Sequence, residues 1–193
     1  MPHKHPMKSL IHTCCGPCLL PVARKLRADG REPAAYFYNP NIHPQAEHAR
    51  RLEAFRGACA QLGIALLPPP EYEPRVFFRA VTFREDERCR LCYRVRMFEA
   101  ALATRDEGIA VFTTTLLVSP YQDQDRIREA GATAAEAAGV KFHFEDFRPL
   151  FAQVRELAEE LGLYRQTYCG CLYSEIEAER SRRTKRERRR ARA

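Results

Sequence analysis

The sequence has 193 residues, of which 45% are hydrophobic and 30% charged, and its formal net charge is +7. This length and composition are typical of one globular domain with a substantial core. No apolar run approaches the roughly 18 residues of a membrane span, and residues 1–9 contain no apolar segment of a secretory signal. These features argue against a membrane or secreted protein, and we expect a cytoplasmic one.

Short apolar and β-branched runs predict strands over residues 8–13, 33–38, 64–67, 109–114 and 141–144. Helix-favouring stretches between them predict helices over residues 17–29, 45–62, 75–80, 90–106, 123–138 and 150–161. Strand and helix therefore alternate along nearly the whole chain. This alternation predicts a single α/β domain with a doubly wound parallel sheet and helices on both of its faces.

The excess positive charge is concentrated at the end of the chain. Residues 176–193 hold nine Arg or Lys against three Glu, whereas residues 1–175 are nearly neutral. Such a run is usually a solvated tail, although clustered arginines also bind nucleic-acid phosphates. We therefore expect a domain over residues 1–175 and a basic tail over residues 176–193 that is helical or disordered.

Unusual motifs follow the ends of the predicted strands. CCGPC follows the first, NPNIHP the second, TTTLLVSPYQD overlaps the end of the fourth, and EDFR follows the fifth. Because ligands of parallel sheets bind at the carboxyl ends of the strands, we expect the functional site at this edge. Polar residues at this edge are candidate substrate-binding residues, although each could simply form a turn or a strand: Asn39, Asn41, His43, Thr114 and Thr115.

Eight cysteines are too many to interpret as structural disulfides in a reducing compartment. Cys59 lies in a helical stretch and is expected in the core. The other seven fall into three tight groups, which indicates metal ligands or redox thiols brought together by the fold. These groups are Cys14, Cys15 and Cys18; Cys89 and Cys92; and Cys169 and Cys171.

The tetrapeptide CGPC at residues 15–18 is also the thioredoxin active-site motif, but only one predicted strand precedes it, which disfavours that fold. Pro21 stands where a radical-SAM triplet or a ferredoxin-type run would need its next cysteine. The vicinal pair in CCGPC and the pair in ERCRLC together offer four thiolates. Four thiolates could hold structural zinc, but a vicinal pair suits a cluster of several metal ions better, so we favour iron–sulfur.

Cys169 and Cys171 are separated by one glycine, so a disulfide between them would close a small, strained ring. Strained disulfides are oxidising and labile, which favours a pair that cycles between thiols and disulfide. The alternative is that both residues are further metal ligands. The sequence contains no GxGxxG motif and no P-loop, so it gives no support for a bound flavin, nicotinamide or ATP.

Six ordered motifs, HTCCGPC, YFYNPNIHP, ERCRLCYRVRM, FTTTLLVSPY, EDFRPLF and LGLYRQTYCGC, resemble those of the cobalamin-independent epoxyqueuosine reductases, the QueH family. The resemblance spans residues 8–174 and leaves out Cys59 and the basic tail. It implies an adenine-nucleotide α-hydrolase-like (HUP, Rossmann-like) fold. It also implies the last step of queuosine biosynthesis, the reduction of epoxyqueuosine to queuosine at the wobble position of tRNA.

The resemblance further implies cofactors, partners and residue roles. Its substrate is tRNA with epoxyqueuosine in the anticodon loop, and it uses no cobalamin. Because the sequence has no flavin motif and no P-loop, we expect no flavin and no ATP, and electrons from an external donor. The implied roles are a 4Fe-4S cluster on Cys14, Cys15, Cys89 and Cys92 and a redox-active pair of Cys169 and Cys171. The resemblance also allows a further iron or other divalent metal ion, for which Cys18 and Asp146 are our candidates. Asp146 is a candidate catalytic residue from its position after the fifth predicted strand, although it could simply cap the following helix. A zinc-stabilised nucleic-acid-binding module with structural cysteines is the alternative from a different functional class.

Overall fold

The computed structural model describes residues 6–191. Residues 1–5 of the predicted domain and residues 192 and 193 of the predicted tail lie outside the described residues.

Five parallel strands form one sheet in the order β3-β2-β1-β4-β5. The strands are β1 (Met7–His12), β2 (Arg31–Tyr36), β3 (Ala65–Leu66), β4 (Val111–Thr114) and β5 (Lys141–Phe142). The chain starts at the central β1, winds outward to β3, and then returns to the other side of β1 with β4. The predicted doubly wound parallel sheet is therefore confirmed. In its register His12 lies opposite Tyr36 on one side and Thr114 on the other.

Helices cover both faces of the sheet. Those in the described residues are α1 (Gly16–Ala28), α2 (Gln45–Leu62), α3 (Arg75–Val81), α4 (Arg88–Asp106), α5 (Gln124–Ala138), α6 (Phe151–Glu160) and α7 (Leu172–Arg190). One layer contains α1 packed against α2 and α6, and the other contains α4 packed against α3 and α5. The main core lies between these layers and includes the apolar half of β1 and nearly all of α1.

The element boundaries differ from the predictions mainly at the sheet edges. The strands predicted over residues 64–67 and 141–144 are only two residues long, because β3 and β5 each have one neighbouring strand to hydrogen-bond with. The helix predicted over residues 90–106 already begins at Arg88. The helix predicted over residues 150–161 follows a short 3-10 turn at Arg148–Leu150 and begins at Phe151.

The connection from β1 into α1 depends on Gly16. A Cβ atom at this position would lie 2.1 Å from the backbone oxygen of Ala54 on α2, so only glycine fits there. Pro17 follows in the first turn of α1, where a missing backbone N–H costs nothing. This close approach of α1 to α2 holds the CCGPC segment at the carboxyl edge of the sheet.

The basic end of the chain is helical. The helix α7 begins at Leu172, with Cys171 as its N-cap, and continues without a break to Arg190. It therefore crosses the boundary expected between residues 175 and 176. Within residues 6–191, no helix is both long enough and apolar enough to span a membrane.

Candidate active site

The first cysteine group lies where β1 and β4 end side by side. The backbone N–H of Cys14 donates to Thr115 Oγ1 over 3.2 Å, and the Cys14 sulfur lies 3.5 Å from the same hydroxyl. In this strand order the winding direction reverses between β1 and β4, which is the position at which doubly wound sheets bind ligands. The predicted edge is therefore where Cys14 and Thr115 meet.

The thiols of Cys14, Cys15 and Cys18 influence one another's ionisation. Interaction with Cys15 and Cys18 lowers the pKa of Cys14 well below its usual value. Interaction with Cys14 raises the pKa of Cys15 to about 12, and interactions with Cys14 and Cys15 raise the pKa of Cys18. Cys14 is thus the thiol of this group that ionises first. Gln166 Nε2 donates to the Cys15 sulfur over 3.3 Å and adds a polar contact from a distant part of the chain.

The second group, Cys89 and Cys92, lies in the first turns of α4. Cys89 is exposed, whereas Cys92 is buried. Burial raises the pKa of Cys89 and raises that of Cys92 to about 12, although the Arg96 guanidinium one turn further along α4 opposes the shift at Cys92. A positive charge therefore lies beside the buried member of this pair.

That guanidinium, Arg96, is 1% exposed. It donates to Asn39 Oδ1 over 2.7 Å and contacts the Cys92 sulfur at 3.9 Å, while its Nε has no hydrogen-bond partner among the described residues. Burial lowers its pKa, but Coulombic attraction to Cys92, Cys14 and Cys169 outweighs burial and raises it. Arg96 is therefore a buried cation whose ionisable neighbours are cysteine thiols.

The chemistry of these residues fits an iron–sulfur cluster in two respects. Cysteine thiolates are the usual ligands of such clusters, and the edge offers thiols from three separate segments. A cluster with thiolate ligands carries net negative charge, which the buried guanidinium of Arg96 would compensate. Within residues 6–191, no group of three or more His, Cys, Asp or Glu has the spacing that holds a single metal ion. The assignment of individual cysteines as cluster ligands is therefore a prediction.

The third group lies in the loop before α7. Cys169 is exposed and its sulfur accepts from Gln122 Nε2 over 3.5 Å. Cys171 is buried, and its sulfur accepts from the Ser174 backbone N–H over 3.4 Å as the N-cap of α7. Gly170 between them has a φ of 144°, which a side chain rarely adopts. The pair therefore combines one exposed residue and one buried residue, and burial of the Cys169 thiol itself raises its pKa.

This loop packs against the NPNIHP loop that follows β2. A Cβ atom on Gly170 would lie 3.1 Å from the Ile42 side chain and 3.3 Å from the side chains of Asn41 and Arg51. The His43 backbone N–H donates to the Gly170 carbonyl over 2.8 Å. The two loops are thus in direct contact, which brings the third cysteine group to the predicted edge of the sheet.

A buried ion pair on α2 holds this loop. Arg51, which is 0% exposed, donates to the carbonyl oxygens of Cys169 over 2.8 Å and Tyr168 over 3.1 Å. Its Nε donates to Glu47 Oε1 over 2.8 Å, and the Tyr164 hydroxyl donates to Glu47 Oε2 over 2.7 Å. The backbone beside Cys169 is therefore tied to α2 by charge-assisted hydrogen bonds.

We expect Arg51→Met to lower the free energy of unfolding by about 3–5 kcal/mol, because it leaves the Glu47 carboxylate buried without its partner. Arg50→Met is the matched control. The Arg50 guanidinium lies 3.3 Å from the same carboxylate but its side chain is 60% exposed, so its loss should cost at most about 1 kcal/mol. Urea denaturation followed by circular dichroism measures both, and equal losses would contradict the bracing role of Arg51.

The predicted substrate-binding residues divide into two kinds. Asn39 bridges Arg96 and the Thr13 carbonyl, and Thr114 Oγ1 lies 2.8 Å from His12 Nδ1, so both are engaged within the protein. Thr115, likewise, is engaged with Cys14.

Asn41 and His43 are the second kind. Asn41 Oδ1 and both ring nitrogens of His43 are buried and have no hydrogen-bond partner among the described residues. The His43 ring stacks on Phe78 with centroids 4.5 Å apart, and burial lowers its pKa, so the imidazole is neutral near pH 7. Buried polar atoms without partners are rare and often mark where a ligand or water binds.

Asp146 lies in a different environment. Its exposed carboxylate accepts two hydrogen bonds from the Arg148 side chain, at 2.8 and 2.6 Å, and one from the Arg148 backbone N–H. The hydrogen bonds from Arg148 lower the pKa of Asp146 to about 2. Among the described residues, Asp146 accepts hydrogen bonds only from Arg148, and none connects it to a cysteine group. The hydrogen bond from the Arg148 backbone N–H to the Asp146 carboxylate is typical of a turn.

Two buried arginines of this site are missing from the sequence predictions. Cys89, Cys92 and Arg96 are spaced by three and four residues and so share one face of α4, which is a usable signal. Nothing comparable distinguishes Arg51 from the adjacent Arg50. Gln122 and Gln166, which contact Cys169 and Cys15, lie inside the quoted motifs but have no distinguishing pattern.

Comparison with solved structures supports the fold. The chain is similar to the crystal structure of a predicted subunit of tRNA methyltransferase from Methanocaldococcus jannaschii, with a TM-score of 0.53 and 11% identity over 80% of this chain and 76% of that one. At this identity the likeness concerns the fold alone. The predicted adenine-nucleotide α-hydrolase-like fold is thereby confirmed.

Comparison with known sequences identifies the family. The family model described as epoxyqueuosine reductase QueH matches residues 9–177. The chain is 39% identical to epoxyqueuosine reductase QueH of Dehalococcoides mccartyi over 171 residues, 88% of this chain and 93% of the relative. It is 36% identical to that of Thermotoga maritima over 178 residues, 87% of this chain and 90% of the relative. The chain therefore belongs to the epoxyqueuosine reductase QueH family.

Proposed function

We propose that this chain reduces epoxyqueuosine to queuosine at the wobble position of tRNA in the cytoplasm. The observation that supports this most strongly is the convergence of three cysteine groups on one edge of the sheet in a member of this family. Epoxide deoxygenation needs electrons and protons together, and a dense set of thiols beside a buried cation can supply or accept both.

The thiols of Cys169 and Cys171 are the proposed source of the two electrons that break the carbon–oxygen bonds of the epoxide. Two thiols and one epoxide give one disulfide, one carbon–carbon double bond and one water, so two electrons and two protons pass to the departing oxygen. An external donor then reduces the disulfide. Cys169 is the exposed residue of the pair, which suits contact with substrate or donor, whereas buried Cys171 suits the role of its resolving partner.

The proposed ligands of a 4Fe-4S cluster are Cys14, Cys15, Cys89 and Cys92. When bound, such a cluster supplies single electrons and a Lewis-acidic iron. In this chain the guanidinium of Arg96 balances the charge of thiolates around it. Cys18 interacts with Cys14 and lowers the pKa of that thiol, and it is the proposed residue of this group for an additional metal ion.

The proposed substrate contacts are made by the NPNIHP loop. Asn41 and His43 present buried polar atoms without partners beside the Gly170 loop. A neutral His43 can donate one hydrogen bond and accept another, and Asn41 Oδ1 can accept one. Hydroxyl groups of a cyclopentane ring match these donors and acceptors.

Mass spectrometry of tRNA nucleosides from a strain without this gene tests the proposal. We expect epoxyqueuosine to accumulate and queuosine to return when the gene is restored. Normal queuosine in such a strain, with no other epoxyqueuosine reductase present, would refute it. Anaerobically purified protein should contain iron and absorb broadly near about 400 nm, whereas a colourless protein with stoichiometric zinc would favour a zinc-stabilised nucleic-acid-binding module.

A further inference from the structure

The last three turns of α7 form an isolated, strongly basic helix, which we call the basic arm (residues 180–191). It contains eight basic residues and one acidic one, Glu187. Every residue of the arm is exposed. Its basic residues are Arg180, Arg182, Arg183, Lys185, Arg186, Arg188, Arg189 and Arg190.

The charges of the arm are largely uncompensated. Among the ion pairs of residues 6–191, only Arg183 of the eight basic residues has a carboxylate partner, Glu187 at 2.9 Å. Arg182 and Arg186, and likewise Lys185 and Arg189, are four residues apart on one face of the helix, where like charges repel. A helix with this charge distribution is stabilised when an anionic polymer lies against it.

The arm is attached firmly to the proposed active site. The helix that contains it begins at Leu172, directly after its N-cap Cys171. The Ser174 hydroxyl accepts from the Gly170 backbone N–H and donates to the Cys171 carbonyl. Arg88, directly before Cys89, pairs with Glu177 and lies over the Tyr173 ring at 5.4 Å. A 19-residue helix is about 28 Å long at 1.5 Å per residue. The arm therefore reaches well beyond the nucleotide in the active site, over a distance that matches a duplex segment.

The composition of the arm favours nucleic acid over a membrane surface. Membrane-surface helices have one apolar face with large hydrophobic residues. Between Glu177 and Arg190, the one apolar residue is Ala178. An arginine-covered rod without an apolar face instead suits phosphates on both sides of a groove, which arginine contacts with paired N–H donors.

We propose that the basic arm binds the phosphate backbone of the tRNA duplex adjoining the base in the active site. This inference rests on the proposed function for the identity of the RNA, and it lies outside the residues 9–177 that the family model matches. Phosphate contacts position a nucleic acid without reading its sequence. The arm thus sets affinity and orientation, while the cysteine edge performs the chemistry.

A full-length variant with Arg182, Arg183, Arg186 and Arg189 all changed to Gln tests the arm, since glutamine preserves helix propensity. We expect its affinity for unmodified tRNA to fall at least about tenfold at physiological salt. The plot of log binding constant against log salt concentration should also become less steep, its negative slope losing about 2–4 in magnitude. A control variant with the same change in net charge replaces four exposed arginines elsewhere with Gln: Arg56, Arg105, Arg128 and Arg155. We expect its salt slope to be close to that of the wild type.

Equal slopes for the arm variant and the control would overturn the proposal. So would arm-dependent binding to phosphatidylserine vesicles with unchanged tRNA binding. A chain ending after Glu179 keeps the Cys171 cap and must lose tRNA affinity to the same extent. With epoxyqueuosine-tRNA, the arm variant should show a raised KM and an unchanged kcat. If wild-type protein reduces no epoxyqueuosine, the proposed function fails, while the binding comparison still decides the role of the arm.

Discussion

Cys169→Ser is expected to abolish reduction of epoxyqueuosine in tRNA, with a loss of at least about 1,000-fold, and to leave the absorption of the proposed iron–sulfur cluster intact. A serine hydroxyl cannot form a disulfide with Cys171, so the two electrons that remove the epoxide oxygen are no longer available. Cys169 is also exposed, so the substitution leaves no buried cavity. Anaerobic turnover assays and the visible spectrum of the same preparation measure the two effects separately.

Cys59→Ala is the matched control for this experiment. Cys59 is buried in the main core and belongs to none of the three cysteine groups, and burial raises its pKa to about 12. This variant should keep both turnover and absorption. Loss of absorption in Cys169→Ser would instead make Cys169 a metal ligand, and retained turnover would remove the dithiol from the proposed chemistry.

Arg96→Met is expected to weaken binding of the proposed iron–sulfur cluster about 10–100-fold, the range seen when a residue behind metal ligands is lost. The substitution removes the buried positive charge beside Cys92 and leaves Asn39 Oδ1 without its donor. It should also shift the midpoint potential to more negative values, because adding an electron to an anionic group becomes harder without a nearby cation. Iron content after anaerobic reconstitution and a redox titration measure these effects.

Two further variants separate the charge of Arg96 from its packing. Arg94→Met removes an exposed arginine of the same helix and should behave as wild type. Arg96→Lys keeps the positive charge but offers no planar fork to reach both partners, so it should bind iron at an intermediate level. Wild-type iron content and midpoint potential in Arg96→Met would show that the buried cation does not act on the cluster.

The fold was predictable from the sequence because the spacing of hydrophobic residues within each strand and helix follows which side chains are buried. The alternation of strands and helices then indicates a parallel sheet. The central strands and all the predicted helices are present, with shifted ends. The edge strands β3 and β5 were predicted too long, since their length depends on a single neighbouring strand. Strand β2 ends at Tyr36 rather than residue 38, and the Tyr38 carbonyl lies 3.0 Å from His12 Nε2 outside the ladder.

The site was only partly predictable, and the difference has a physical cause. Cysteine spacing identifies the three groups because thiols with a shared role occur in short motifs. The burial of Arg51 and Arg96 arises from contacts with segments far away in sequence, such as Tyr168 and Asn39. The adjacent residues Arg50 and Arg51 lie on one helix, yet Arg50 is largely exposed and Arg51 is completely buried. No local sequence pattern distinguishes the two.

The central claim is that this chain removes the epoxide oxygen from epoxyqueuosine in tRNA. The most direct test incubates purified, anaerobically iron-loaded protein with epoxyqueuosine-tRNA and dithionite, followed by mass spectrometry of the digested nucleosides. We expect epoxyqueuosine to be replaced by a nucleoside lighter by one oxygen atom that co-elutes with queuosine. Unchanged epoxyqueuosine with iron-loaded, correctly folded protein would contradict the account.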